Sequence, residues 1–273
     1  MITSTGINAN WTISSNVGDR ITPFLIEHIA GVPAIWTKAQ PEKHLLGCGS
    51  ILNHAQAKNV VWGAGLASFG GGVNAEADIR SVRGPLSRAV AMTCGCLVPD
   101  VIGDPALLVS QFIKPNETVP GRIGLVPHYV DQQRAVWWYG DDDRVTIIDV
   151  LQSVEDFVAD LTTCDFVFSS SLHGLILADA YCIPNARVIM GEDIGGDGMK
   201  FFDHDLAWHG CIREGFDLTH AASEVVTDHP LPLAGVEAMS AIYRAQMGRM
   251  GDEREGIIAG LLVRCPFKTG GLR

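Results

Sequence analysis

Six short apolar runs punctuate the chain, and each stops at a small or polar residue. They are "HLLGCGS" (44–50), "NVVWGAGL" (59–66), "DIRSVRG" (78–84), "RIGLVPHYVD" (122–131), "RVTIIDV" (144–150) and "DFVFSSSLHG" (165–174). A continuous apolar run suits a strand covered on both faces, and such strands belong to parallel sheets. Parallel strands need a crossover between them, and helix-compatible segments fill the intervals. "RGPLSRAVAM" (83–92) sets Pro85 in a first helical turn. "SVEDFVADLTTC" (153–164) opens on Ser153, an N-cap residue type, with acidic residues in the turn that follows. The alternation predicts an α/β fold with a mostly parallel sheet.

A polar stretch with two prolines and a glycine, "KPNETVPGR" (114–122), is the best linker. It predicts two Rossmann-like halves, residues 1–117 and 118–234, the second carrying the "SSSLHG" junction. In the remaining segment, 235–273, Val236, Met239, Tyr243, Met247 and Met250 recur at helical spacing. That stripe reads as core packing on a terminal helix that bridges the halves. The 273 residues, 47% of them hydrophobic, suffice for one large domain or two modest ones.

The net charge of −11 and the absence of a basic stripe argue against nucleic acid as a partner. Met1–Trp11 lacks a basic segment followed by an apolar one, and Gly256–Val263 is too short to span a bilayer. The expectation is therefore a cytoplasmic protein without a transmembrane segment, with at most peripheral attachment to the inner face of a membrane. The seven cysteines are scattered apart from Cys94 and Cys96, and no pair of CxxC knuckles exists. That predicts free thiols and no structural zinc.

The run at 165–174 raises the functional question. Ligands of open α/β sheets bind beyond the carboxyl ends of strands, and here a strand end is followed by three hydroxyls and a histidine. Backbone N–H groups at a helix start attract phosphate or carboxylate, Ser169, Ser170 and Ser171 add hydroxyl donors, and His173 can move a proton. The plainer alternative is a packed histidine behind serines that cap the helix.

"SSSLHGLILADAYCIPNARV" (169–188) resembles the signature of the polysaccharide pyruvyl transferase family. Companion segments occur in the same order: "NVGDRITPFLIEHIAG" (16–31), "GCGSILN" (47–53), "VVWGAGL" (60–66), "SVRGPLSR" (81–88), "IGDPALLV" (102–109) and "IGLVPHYVD" (123–131). The resemblance implies a GT-B-like architecture with an inter-domain cleft. It also implies transfer of pyruvate from phosphoenolpyruvate onto two hydroxyls of a saccharide, forming a ketal. No redox cofactor or obligatory metal is implied; phosphoenolpyruvate is the donor substrate, and the acceptor is a glycan that in some settings is lipid-linked. Two rival readings are a glycosyltransferase that uses a nucleotide-sugar and a saccharide-binding protein without catalysis.

Under the resemblance His173 is the proton donor or a phosphate contact. Asp19 of "NVGD" is a base, with Asn16 and Gly18 shaping the turn; a helix cap is the competing role for Asp19. Arg83 suits bidentate capture of phosphate or carboxylate. Asn16, Gly49, His128 and Gly174 join Arg83 and the three serines as substrate-binding positions. Many relatives carry arginine immediately before the Leu-His pair, where this chain has Ser171; either another arginine, Arg88 or Arg187, supplies the missing cation, or the donor differs. Asp104 in "GDP" is expected to fix a turn. The run Asp141–Asp143 reads as a solvated turn rather than a metal site. "GAGLASFGGG" (63–72) reads as a mobile loop, and "GEDIGGDGMKFFDHDL" (191–206) as a lid or surface loop. Trp137, Trp138 and Tyr139 suit either buried packing or stacking on a sugar.

Overall fold

The structure is a computed structural model describing residues 2–3, 5–13, 16–38, 43–192, 194–219 and 231–267. In chain order its elements begin with β1 (Ile7–Asn10), α1 (Val17–Ala30), β2 (Ala34–Trp36), β3 (Leu45–Leu46), β4 (Val60–Trp62), β5 (Asp78–Ser81) and α2 (Pro85–Thr93). They continue with β6 (Ile123–Val126), α3 (Gln132–Tyr139), β7 (Val145–Ile147), α4 (Val154–Thr162), β8 (Phe166–Ser169), α5 (Leu172–Ala180) and β9 (Asn185–Ile189). The last are α6 (Met199–Trp208), β10 (Phe216–Asp217), α7 (Val236–Arg249) and α8 (Gly251–Arg264).

The chain folds into two compact units. The first comprises the described parts of Met1–Phe112, Gly196–Ile212 and Gly251–Arg273; the second comprises those of Ile113–Gly195 and Arg213–Met250. Each holds a parallel five-stranded sheet, ordered β2-β1-β3-β4-β5 in the first and β7-β6-β8-β9-β10 in the second. Counted from its own first strand, each sheet runs 2-1-3-4-5, the flavodoxin-like doubly wound order. The protein is thus α/β with two Rossmann-like halves.

Burial follows the sheet order. The central strands β4, β6 and β8 are buried at every position, whereas the edge strands β2 and β10 are half-buried to exposed. All six apolar runs contain a strand. Helix boundaries have local causes. The Asn16 side chain accepts the Gly18 N–H at 3.0 Å to start α1, and Gly31 ends it in the left-handed region at φ 66°. Pro85 occupies the first turn of α2. The Ser153 hydroxyl accepts the Asp156 N–H at 3.0 Å to start α4, with Glu155 and Asp156 in its first turn. Asp104 caps a 3₁₀ segment by accepting the Ala106 N–H at 3.0 Å, the turn-fixing role its sequence context suggests.

The two halves differ from the contiguous division 1–117 and 118–234. The stretch 196–212 returns to the first unit, and the tail is two helices rather than one bridging helix. In the second unit Tyr243 and Met247 of α7 are buried, and Val236 and Met239 pack on its core, so the apolar stripe is core packing. α8 packs in the first unit, where Trp62 Nε1 donates to Leu261 O at 3.0 Å.

The glycine-rich stretch 191–206 is also corrected. Its second half is the start of helix α6, with Met199, Phe201 and Asp203 buried. Asp197 organises its start by accepting the N–H groups of Phe69 at 3.0 Å and Met199 at 3.1 Å, and these bonds, that of Phe69 first, hold its carboxyl below the usual range. Around Asp141–Asp143 the chain turns, and Asp142 binds the Arg144 guanidinium through Nε and Nη2, each at 3.0 Å. No described helix is long and apolar enough to cross a membrane.

Candidate functional site

A 2-1-3-4-5 sheet has its topological switch point between its first and third strands, and ligands of such folds bind beyond the strand ends there. In the second unit that point lies between β6 and β8. The chain leaves β6 into Pro127 and His128, and leaves β8 into the Ser170–Ser171 turn and α5. His173 sits in the first turn of α5, half-buried.

Hydrogen bonds stitch the two sides of this switch point together. The Ser170 hydroxyl accepts the His128 N–H at 2.9 Å and donates to Asp131 Oδ2 at 2.7 Å. The buried Asp131 carboxylate also takes Arg134 Nη1 on Oδ1 at 3.1 Å, and the same nitrogen donates to Met190 O at 2.7 Å. Ser169 Oγ lies 2.9 Å from Val126 O and 2.8 Å from Ser171 O, and accepts the Ser171 N–H at 3.0 Å. The hydroxyls of Ser169 and Ser170 are therefore committed to building the turn. Ser171 is the N-cap residue of α5, yet its side chain makes no capping bond. The start of α5 thus has no side-chain cap at its first N–H groups, the arrangement that favours an anion.

Gly174 has a packing reason. A Cβ there would collide with Ser169 Oγ and lie 2.7 Å from Val126 Cγ1, both in the buried seam of β6 and β8. Its side-chain-free face is filled by its own unit rather than held open for a ligand. Arg187 on β9 is the register partner of Ser169 and is half-buried. Arg88, the other stand-in cation, donates to Pro99 O at 3.2 Å and to Asp100 at 2.6 Å in the first unit.

In the first unit the switch point lies between β1 and β3. Beyond β1 comes the start of α1, with Asn16 as its cap and the half-buried Asp19 in its first turn. Beyond β3 comes the Gly47–Ser50 loop, where Gly49 adopts φ +112°, a conformation that side chains disfavour. The Cys48 N–H donates to Thr22 Oγ1 of α1 at 2.9 Å, tying the two sides together. Burial, then the neighbouring Asp104 carboxylate, push the Cys48 thiol well up, so it is an inert packing group rather than a nucleophile.

Arg83 departs from expectation. Its side chain is wholly buried, with Nη1 donating to Ser50 Oγ at 3.0 Å, Nη2 donating to Leu66 O, and Nε 3.2 Å from Asp203 Oδ2. Asp203 in turn accepts the N–H groups of Leu86 at 2.9 Å and Ser87 at 3.0 Å, and the Ser87 hydroxyl at 2.6 Å. The guanidinium therefore knots the loops after β3, β4 and β5 to α6 instead of reaching an external anion. Leu66, at the head of the glycine-rich 63–72 stretch, is buried in this knot, and its N–H donates to Ser87 Oγ at 3.0 Å.

Sequence reasoning missed Asp131, Arg134 and Asp203. Asp131 stands at the end of the quoted run "IGLVPHYVD", and an acid placed there was the available signal. The start of α6 was hidden behind its glycines.

An uncharacterized protein, L143, of Acanthamoeba polyphaga mimivirus is 29% identical over 220 residues, covering 74% of this chain and 73% of its own length. The succinoglycan biosynthesis protein ExoV of Rhizobium meliloti (strain 1021) is 30% identical over 196 residues, covering 66% of this chain and 58% of ExoV. No solved structure matches. Residues 41–189, just over half of the chain and including both sides of the second switch point, match the family described as polysaccharide pyruvyl transferase. The chain belongs to the polysaccharide pyruvyl transferase family.

Proposed function

We propose that the protein transfers the pyruvyl unit of phosphoenolpyruvate to two hydroxyls of a glycan sugar, forming a pyruvate ketal and releasing phosphate. The observation that carries this reading is the β8–α5 turn: a histidine in the first turn of a helix whose start no side chain caps, at a sheet switch point. An acid protonates the methylene carbon of the enol phosphate, and the adjacent carbon becomes oxocarbenium-like. One sugar hydroxyl adds to that carbon and loses its proton. The second hydroxyl displaces phosphate, which leaves carrying that hydroxyl's proton, and the ring closes with no change of oxidation state and no redox cofactor.

In this reading His173, in the first turn of α5, is the acid. The uncapped N–H groups of α5 hold the phosphate or carboxylate, with Ser171 beside them. Arg187, next to Ser169 in the sheet, supplies the cation that Ser171 does not. The acceptor is a glycan unit of the kind built into exopolysaccharides, either free or lipid-linked at the cytoplasmic face of a membrane.

The test is phosphate release from phosphoenolpyruvate in the presence of candidate glycans, with the ketal identified by mass spectrometry. Turnover of a nucleotide-sugar instead, or glycan binding with no turnover of either donor, would replace this reading with a glycosyltransferase or a binding protein.

A further inference from the structure

A pocket of about 450 Å³ opens on α3 of the second unit, lined by Val130, Gln133, Arg134, Trp137 and Trp138. Its volume lies within the range of about 300–1,000 Å³ common to small-ligand sites. Trp137 is 76% exposed, an unusual state for the largest apolar side chain, although the neighbouring Tyr139 is fully buried. Helix α3 therefore separates its aromatic residues by role: Tyr139 goes into the core, while Trp137 is presented to solvent at the pocket.

The cation of the pocket is held in place. Arg134 lies over Trp138 at 5.9 Å from the ring centroid, and Nη1 is fixed between Asp131 Oδ1 and Met190 O. Both hydrogens of Nη1 are thereby used. The Nε and Nη2 donors, which together form the edge that takes carboxylates bidentately, have no hydrogen-bond partner among the described residues. A flat apolar ring beside a pre-oriented arginine edge matches one chemistry well: a pyranose bearing a carboxylate. The sugar's C–H face covers the indole, and the carboxylate meets the guanidinium.

The pocket is also wired to the β8–α5 turn. Asp131 takes Arg134 on one oxygen and the Ser170 hydroxyl on the other, and Ser170 accepts the His128 N–H. We propose that the α3 pocket is a saccharide subsite that holds one carboxylate-bearing pyranose unit of an acidic glycan, stacked on Trp137 and clamped by Arg134. This rests on the reading of the protein as one that acts on glycans and adds to it a place and a charge preference.

The experiment is titration of the full chain with methyl β-D-glucuronide and, separately, methyl β-D-glucoside, followed by saturation-transfer NMR and calorimetry without phosphoenolpyruvate. The glucuronide is expected to bind about tenfold or more tightly than the glucoside, in keeping with a charge-assisted bidentate contact. Trp137→Ala, at an exposed position, should keep the fold and weaken both ligands at least about fivefold. Arg134→Gln should erase the preference, and Arg134→Lys, which keeps the charge but loses the fork, should retain part of it. Binding of neither sugar, unchanged affinity in Trp137→Ala, or a preference that survives Arg134→Gln would overturn the proposal. Because the titration needs no donor, sugar binding without phosphate release sinks the transferase reading alone. Phosphate release with Trp137→Ala kinetics unchanged sinks the pocket alone.

Discussion

Replacing Gly174 by alanine is the sharpest probe of how the β8–α5 turn is built. On helix propensity alone the change should stabilise α5 by about 1 kcal/mol. Packing opposes it. The new methyl would collide with Ser169 Oγ and lie 2.7 and 3.1 Å from Val126 Cγ1 and Cβ. Neither neighbour yields easily, since Val126 is wholly buried and Ser169 Oγ is held by Val126 O, Ser171 O and the Ser171 N–H. Overpacking of this kind costs about 1–3 kcal/mol, and a displaced hydroxyl forfeits about 1 kcal/mol for a lost hydrogen bond. After the propensity gain, the net loss is about 1–3 kcal/mol, or a fall in Tm of roughly 2–10 °C.

Thermal unfolding followed by far-UV circular dichroism measures this directly. The companion variant Ser169→Ala removes one of the two obstacles. Gly174→Ala should therefore cost about 1 kcal/mol less in that background, a coupling readable in a double-mutant cycle. If Gly174→Ala melts at or above the wild-type temperature, the seam is looser than described. Gly174 would then owe its identity to a ligand, as the sequence suggested.

The remaining predictions concern other parts of the molecule. Asp203→Ala leaves the wholly buried Arg83 without its counter-charge and three donors of α2 without an acceptor; the expected loss is about 3–5 kcal/mol, and a Tm within about 2 °C of wild type would show that the knot carries little stability. Burial pushes the Cys164 thiol up to about 11, so the folded state holds its proton longer than the unfolded chain. Its contribution to stability is complete below the ordinary thiol value and is lost as pH rises from about 9 to about 11; Cys164→Ala should flatten that alkaline fall, and a slope left unchanged counts against the assignment. In alkylation at pH 8 read by mass spectrometry, the exposed Cys182 and Cys211 should react before the buried Cys48 and Cys164. His173→Asn should fold normally and lose about a hundred- to ten-thousand-fold in phosphate release while keeping phosphoenolpyruvate affinity within a modest factor; near-full turnover would remove the histidine from the chemistry.

Six strands were legible because each is a continuous apolar run ending in turn residues. β1 was missed because "INAN" alternates apolar and polar side chains over only four residues. β2 and β10 are edge strands of only three and two residues, too short to show a strand pattern. The linker at 114–122 lies next to the first passage between units at Phe112–Ile113, but the returns at Gly196, Arg213 and Gly251 were invisible. Those segments join their units through contacts distant in sequence, such as the Asp203 carboxylate with Arg83 and Ser87. Arg83 shows the same limit at one residue. An arginine beside Gly-Pro at a strand end looks identical in sequence whether its partner is a substrate or an aspartate 120 positions away.

The sheet order explains why the turns singled out in the sequence fall at the switch points. In each 2-1-3-4-5 sheet the first and third strands are neighbours whose following connections leave toward opposite sides, and this divergence opens the crevice. Asn16, Asp19 and Gly49 fall on the two sides of that point in the first sheet, and His128 and the Ser169–Gly174 run fall on the two sides in the second. In both units a hydroxyl closes the gap. Thr22 Oγ1 takes the Cys48 N–H in the first, and Ser170 Oγ takes the His128 N–H in the second. The chemical difference lies in what backs the hydroxyl. Ser170 Oγ also donates to the buried Asp131 carboxylate, which holds Arg134 on its other oxygen. A neutral bridge only spaces two loops, whereas an ionised one fixes the orientation of a guanidinium with donors still to give. The second switch point, with its half-buried histidine, its uncapped helix start and its anchored arginine, is therefore the one on which the proposed handling of an anionic donor rests.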